Sequence, residues 1–532
     1  MSTAVLEEPR TSTEEAQSSS KFSSLLKIRI PYFKIIVISS ILLSIISSFL
    51  FIYYGFHIVH FDAKGHQFVA RRVFDNANPG LKQLGGFWLV LPHLLYLPFV
   101  KSDYLYFNGL AGTPISMICF VLTAILLFKI IERIFDTFSA FCGTVIYITN
   151  ANMLYLQSTA LTENLSILFL VASAYYFTVW TSTRYRKHLL AASVLSALGV
   201  LTRYENWCAA AVLGLLLIVI DLKDKRGSKN LITDSSIIAL FNVGAIGFSL
   251  WFSWYATGQI YTNSDFKHFD FQIARGSYFL AFFVQLYTLA NLISYEWTLM
   301  ACIAFGIVFW KRRKDSSLLA SLVLLGPMLI YLYEYSAGDP TRIRYGLMFV
   351  PAGVLFISYW ANRSRLYTYL FLVFTFYVAL FSPFHRSFSS ELLKESLRDA
   401  DNLRITEDLN LCLKQEDDGG AILADMSEIA PNLYDLKVPV KRFVHEGVKS
   451  LWNQAYVDGH PERVASWVFL SQDDLLWKKF HDDPEFHRHF ALVGRRGYLE
   501  LYKQTPNVEY NIKSHKPHTW VERYNMPRIP GV

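Results

Sequence analysis

Between Tyr32 and Pro383 the chain returns again and again to apolar runs about as long as a hydrocarbon core is thick. A helix rises ~1.5 Å per residue, so roughly 20 apolar residues cross the core, and every backbone N–H and C=O inside it must be paired within the segment. On that rule, spans are expected near 34–56, 112–131, 136–151, 162–180, 188–203, 205–221, 234–256, 292–310, 317–335, 344–361 and 366–383. The expected fold is therefore a polytopic α-helical membrane protein of about eleven transmembrane helices.

Charge tests this placement independently, because cytoplasmic loops collect Lys and Arg. With the N-terminus cytoplasmic, the inside segments carry Lys27, Arg29 and Lys34; Arg133; Arg184, Arg186 and Lys187; Lys223, Lys225, Arg226 and Lys229; Lys311 to Lys314; and Arg363 and Arg365. The alternation holds throughout, and an odd number of spans puts the C-terminal region outside the cytoplasm. The formal charge of +7 is accounted for by these helix ends, which leaves no basic surface for nucleic acid. Only 17% of residues are charged, against about 25% in an average soluble domain.

The chain divides into three parts. Residues 1–27, rich in Ser, Thr and Glu, read as a disordered cytoplasmic tail rather than a cleaved signal. Residues 28–383 form the transmembrane module, with a first outer loop at about 57–111 that mixes charge with the apolar Gly86–His93 stretch and reads as amphipathic helices in the interface plane. A second outer segment at about 257–291 carries Asp265, Lys267, His268, Asp270 and Arg275 before an aromatic stretch, and a third spans 336–343. From 384 to 532 the pattern changes to strand-like runs at Ala421–Ala424, Val438–Val444, Val464–Leu470, Phe490–Val493 and Tyr498–Tyr502, with helices between the earlier ones and a turn at Arg495-Arg496-Gly497. That alternation predicts a small extracytoplasmic α/β domain. Cys412 is its only cysteine, so it holds no internal disulfide, and no zinc-type cysteine spacing occurs.

A few polar residues stand at the predicted outer surface. Asp62 follows the first span by about six residues, where a carboxylate could deprotonate a hydroxyl as it attacks; the same position also suits an ordinary solvated loop residue. Glu163 begins an apolar run, where it either serves a site or is a first-turn Glu favoured by the helix dipole. Arg203 and Glu205 interrupt two apolar runs and read equally as an ion pair, a phosphate contact or a polar turn. Arg342 and Arg344 flank the third outer segment, and two guanidinium forks suit phosphate oxygens. His93 could hydrogen-bond substrate or be a plain interfacial histidine, and His481, His487 and His489 read as surface residues. No P-loop, dinucleotide or HExxH motif is present, and no metal set is assigned.

Four stretches, in order, carry a resemblance: His60-Phe61-Asp62-Ala63 with Ala70-Arg71-Arg72 and Trp88–His93; Asn150–Thr159 leading into Thr162-Glu163; Leu201–Trp207; and Arg342-Ile343-Arg344-Tyr345-Gly346 followed by Pro351. Over about residues 30–383 the chain resembles the membrane-embedded glycosyltransferases of the C superfamily, close to the dolichyl-phosphate-mannose-protein mannosyltransferase-like group. The resemblance implies a polyprenyl-phosphate sugar donor and an inverting transfer of mannose or a related sugar on the extracytoplasmic face. It implies Asp62 as the catalytic base, Glu163, Arg203 and Glu205 as cavity residues, and Arg342 and Arg344 as phosphate contacts, with His93 a further donor-binding candidate. The acceptor stays open among protein, lipid and polysaccharide. Two departures bear on metal use: Ala63 follows Asp62 where many relatives have adjacent acids, and Asn150 and Asn152 stand where the oligosaccharyltransferase branch has Asp. Both weaken a divalent-cation mechanism without removing the possibility of a bound cation. A lipid or solute transporter and an inactive scaffold of the same fold are the alternative readings, and a prokaryotic plasma membrane is favoured over the endoplasmic reticulum.

Overall fold

The computed structural model describes residues 31–260, 274–339, 342–362, 390–404 and 406–504. The expected tail at 1–27, the expected span at 366–383, Arg363, Arg365 and the Asp265–Asp270 stretch lie outside the described residues. Seven helical segments there are long and apolar enough to cross a membrane: Tyr32–Tyr53, Thr113–Ile134, Glu163–Thr183, Glu205–Lys223, Ser228–Thr257, Ser316–Ala337 and Ile343–Ala361. The expected spans at 136–151, 188–203 and 292–310 fall on the helices Thr137–Ile148, Arg186–Val200 and Tyr295–Arg312, of 12, 15 and 18 residues. The protein is a polytopic integral membrane protein.

Sequence chemistry sets the ends of these helices. Pro114 sits in the first turn of Thr113–Ile134, where a missing N–H costs nothing. Asp136 caps Thr137–Ile148 by accepting from the Ser139 N–H at 2.8 Å. Gly258, at φ 85°, ends the 30-residue Ser228–Thr257 helix in the left-handed conformation that glycine adopts without strain. Coverage sorts the helices into inner and peripheral ones. The most apolar windows of Glu163–Thr183 and Ile343–Ala361 are 67% and 72% buried, those of Tyr32–Tyr53 and Ser228–Thr257 only 28% and 22%. The peripheral pair shows Ile38, Ile45, Phe49, Leu240 and Val243 outward, as a lipid-facing surface requires.

The first span is pinned to the bundle by a polar seam. Gln157 accepts from the Ser44 hydroxyl at 2.8 Å and donates to Ser47 Oγ and Ser48 Oγ at 2.8 and 3.0 Å. In an apolar surround such bonds fix rotation and register where apolar packing alone would let the helix slip. The seam thereby sets where the chain leaves the span to start the Phe61–Arg71 helix.

The C-terminal region forms a five-stranded sheet in the order β2-β1-β3-β5-β4, with β1 Ile422–Leu423, β2 Phe443–Val444, β3 Trp467–Ser471, β4 Phe490–Arg496 and β5 Leu499–Gln504. β1 pairs parallel with β2 and β3, while β5 pairs antiparallel with β3 and β4. Its period-2 alternation has both faces apolar. Ile422, Phe443, Trp467, Phe469, Leu499 and Leu501 join the core of the membrane-spanning part. Leu423, Val444, Val468, Leu470 and Tyr502 form a separate cluster on the other face.

The sheet and its helices are tied to the 57–111 segment. Lys64 Nζ meets Asp435 Oδ2 at 2.6 Å, Asn76 Nδ2 bonds His445 Nε2 at 2.9 Å, and Asp75 accepts the backbone N–H groups of Val440 and Lys441 at 3.1 and 3.2 Å.

Candidate active site

The site begins with the Phe61–Arg71 helix. His60 caps it, accepting the Asp62 N–H on Nδ1 at 3.1 Å. Asp62 and His66, four residues apart, fall on one helix face. That face lines a cavity of about 590 Å³ counting its open mouth, walled also by Trp88, Arg203, Glu205, Tyr331, Arg344 and Tyr345.

Asp62 is in close contact with Arg344, carboxylate to guanidinium. Burial alone would raise the pKa of this carboxyl, but Arg344 outweighs it and holds the group well below the usual carboxylate range. Arg344 also lies over the Tyr345 ring, 5.2 Å from its centroid, and Tyr345 stacks on Tyr331 at 5.1 Å. The Tyr331 hydroxyl bonds Glu205. Glu205 Oε1 in turn accepts from Arg203 Nε and Nη2 at 3.0 and 2.7 Å, and Arg203 Nη1 reaches Thr162 Oγ1 and Glu163 Oε1, both at 3.1 Å. One connected set of charges and aromatic rings therefore links Asp62 to Glu163 across the cavity wall.

The set has hydrogen-bonding capacity left over. Arg344 Nε and Glu163 Oε2 are buried without a hydrogen bond among the described residues, and Glu163 Oε1 has its ion pair with Arg203 alone. Buried polar atoms without partners are rare in folded proteins, and a bound ligand is one way such atoms at a cavity wall are satisfied.

Of the residues singled out in the sequence, Asp62, Arg203, Glu205 and Arg344 line the cavity. Glu163, 1% exposed, stands directly behind Arg203. Arg342 is not on the lining; its Nη1 meets Asp399 Oδ1 at 3.2 Å, on the C-terminal Glu391–Arg404 helix, whose Glu395 also accepts the Ile343 N–H at 2.8 Å. His93 is fully buried and sits behind His66, bonded to it at 3.0 Å. Asn150 and Asn152 are joints away from the cavity: both donate to the Leu292 carbonyl, at 2.7 and 3.0 Å, and Asn152 Oδ1 accepts the Leu392 N–H at 3.0 Å. Among the described residues no group of three or more His, Cys, Asp or Glu is gathered so that it could hold a metal ion.

Sequence reasoning passed over His66, Trp88 as a wall residue, Tyr331 and Glu334. The one available signal was spacing, since His66 follows Asp62 by four in a helical stretch. Tyr331 and Glu334 lie inside an apolar run expected only to span.

Comparison with known proteins bears on the fold that carries this cavity. Residues 105–254 match the family model described as dolichyl-phosphate-mannose-protein mannosyltransferase, a stretch that holds Glu163, Arg203 and Glu205. No curated protein matches the chain by sequence. Among solved structures, the fold is similar to ArnT from Cupriavidus metallidurans bound to undecaprenyl phosphate, with a TM-score of 0.54 at 11% identity over 87% of this chain and 97% of that one. It is also similar to the oligosaccharyltransferase of Archaeoglobus fulgidus in the apo form, with a TM-score of 0.53 at 10% identity over 91% of this chain and 76% of that one.

Proposed function

We propose that this chain, whose fold is similar to that of membrane-embedded C-superfamily glycosyltransferases and whose residues 105–254 match a mannosyltransferase family model, transfers one sugar in its cavity, with inversion, from a polyprenyl phosphate to an acceptor hydroxyl on the extracytoplasmic face. The observation that carries this reading is the Asp62–Arg344 pair facing a shared cavity with Arg203. One carboxylate and two guanidinium groups are what a single displacement at a phosphate-bearing sugar carbon asks for. The orientation rests on the alternation of basic loops.

The acceptor oxygen attacks the sugar carbon while its proton passes to Asp62, and the bond from that carbon to the phosphate oxygen breaks with the electron pair leaving on phosphate. Arg344 and Arg203 face the charge that develops there, in a site where low water content strengthens their pull. Arg344 has two customers. Before the donor arrives it neutralises Asp62; the phosphate then competes for the same fork, using the spare Nε as well. As the guanidinium turns to phosphate, Asp62 loses the charge that depressed its proton affinity and becomes a better base at the moment one is required. The apolar walls beside the mouth, including Trp88 and Leu89, suit a lipid tail, and ArnT of Cupriavidus metallidurans, which shares the fold, was solved with undecaprenyl phosphate.

The test is release of polyprenyl phosphate from a panel of lipid-monophosphate sugars by wild type and Asp62→Asn in nanodiscs, with and without simple hydroxyl acceptors. Turnover of one sugar, reduced about 10²–10⁴-fold in Asp62→Asn with donor binding retained, is expected. Equal rates in both proteins remove Asp62 from the mechanism, and failure of every donor to bind removes the transferase reading.

A further inference from the structure

His66 and His93 form a pair whose protonation is dictated by geometry. His93 Nδ1 lies 3.1 Å from the Leu89 carbonyl, which can only accept, so this nitrogen carries the hydrogen. Deep burial keeps the His93 ring neutral, with its pKa pushed down to about 3, so its Nε2 carries none. His66 Nδ1, 3.0 Å from that bare Nε2, must then be the donor. His66 is itself buried and neutral for the same reason, which leaves its Nε2 without a hydrogen.

That nitrogen is not used by the protein. His66 lines the cavity, its Nδ1 is turned back to His93, and Nε2 takes no hydrogen bond from any described residue. The Trp88 ring, 4.1 Å from the imidazole, packs so closely on Gly65 that a β-carbon there would come within 2.6 Å of it, so the ring cannot turn freely. Asp62 stands one helical turn away on the same face.

We propose that His66 Nε2 is a fixed hydrogen-bond acceptor for a substrate hydroxyl, held in that tautomer by the His93–Leu89 relay. A bare imidazole nitrogen accepts from a neutral hydroxyl and repels phosphate oxygens and carbonyl groups, which have only lone pairs to offer. His66 therefore reads the sugar side of the reaction while Arg344 and Arg203 read the phosphate side. His93 touches no substrate; it is a positioning residue. The charged groups facing His66 are Asp62, Arg203 and Arg344, and the two guanidinium groups and His93 oppose its protonation where Asp62 favours it. The acceptor state consequently persists into mildly acidic solution. The assignment rests on the cavity being the transfer site, and the hydroxyl belongs either to the donor sugar or to the acceptor.

The experiment is ¹⁵N magnetic resonance of histidine-labelled full-length protein in nanodiscs, assigned with His66→Phe and His93→Phe, titrated in turn with sugar-free polyprenyl phosphate, polyprenyl phosphate mannose and an alkyl mannoside acceptor. Without ligand, His66 is expected to show a protonated Nδ1 and an unprotonated Nε2, and His93→Phe to mix the two tautomers. A shift of the His66 Nε2 signal with the lipid-linked sugar alone assigns the hydroxyl to the donor; a shift only on adding the mannoside assigns it to the acceptor. A protonated Nε2 in the free protein, or no shift with either sugar ligand, overturns the proposal. In turnover, His66→Phe should lose about 10–100-fold in kcat/KM, and His66→Gln, whose amide oxygen can accept, should recover part of it. The free-state tautomer is read without any activity, so an inactive protein with the expected spectrum defeats the transferase reading, and an active protein with the opposite tautomer defeats only this one.

Discussion

Asp62 and Glu205 are both carboxylates of the cavity wall, yet their surroundings give them different duties. Glu205, 4% exposed, takes both Arg203 and Tyr331 on its Oε1 and closes the wall. Replacing it with Ala leaves Arg203 with Glu163 as its remaining carboxylate partner and takes the acceptor from the buried Tyr331 hydroxyl, which costs about 1–3 kcal/mol. Glu205→Ala is expected to unfold several degrees earlier in detergent, checked by thermal shift, whereas Asp62→Asn keeps the shape of the side chain and should lose turnover before stability. A Glu205→Ala protein as stable as wild type would make the Arg203 cluster dispensable to the fold. Position and composition did not rank the two carboxylates, each one acid beside an apolar run, and only the family resemblance set Asp62 apart. Their difference lies in partners up to 282 residues away.

At the scale of elements, the Phe61–Arg71 helix and the Trp88 wall depend on a close approach. The β-carbon that Gly65→Ala adds would sit 2.6 Å from the Trp88 ring, although alanine favours a helix in isolation. Overpacking of this kind costs about 1–3 kcal/mol. The variant is expected to melt earlier and to bind donor less well, measured by thermal shift and by the KM for the lipid-linked sugar; unchanged values in both would mean the indole moves aside freely. The elements themselves were legible. Each of the five strand-like runs holds a strand, although Val438–Val444 is extended only at Phe443-Val444 and forms a 3-10 turn at Val440–Arg442; the turn at Arg495-Arg496-Gly497 joins β4 to β5, because alternation of apolar residues and a glycine that accepts φ 55° are local signals. The sequence did not reveal that the 391–404 helix would carry Glu395 and Asp399 to the Arg342–Arg344 loop, since nothing local records which helix a loop will meet.

Over the whole molecule, the C-terminal region is not a free appendage. One face of its sheet belongs to the main core, and Lys64–Asp435, Asn76–His445 and Arg342–Asp399 bridge it to the rest. Ending the chain before residue 390 would expose that core to water, so the truncated protein is expected to aggregate or to be degraded rather than to retain donor binding. Size-exclusion chromatography in detergent decides this, and a monodisperse, donor-binding truncation would show the region to be separable.

Acid sensitivity is a second whole-molecule property. His57, His60, His66, His93 and His445 are all buried with pKa values pushed below 6.5, chiefly by desolvation. Below about pH 6.5 the unfolded chain takes up protons that the native protein refuses, so stability falls as pH drops, by as much as ~1.4 kcal/mol per pH unit for each such group. The melting temperature should therefore decline from pH 7.5 to pH 5, and less steeply in His93→Phe. Asp62 works in the opposite sense: its depressed pKa makes its pairing with Arg344 a stabilising term at neutral pH that is lost only when pH falls through that low value.

The sequence by itself determined the membrane class, the helical segments of the described spans, the five strands and four of the residues that line the cavity. These follow from apolar run length, period and charge at helix ends, which are properties of neighbouring residues. The tertiary structure alone decided that Arg344 rather than Arg342 meets Asp62, that His93 stands behind His66, and that Asn150 and Asn152 serve as joints. Each of those outcomes depends on which helix faces which, and packing fixes that through contacts between residues far apart in the chain, where no local pattern reaches.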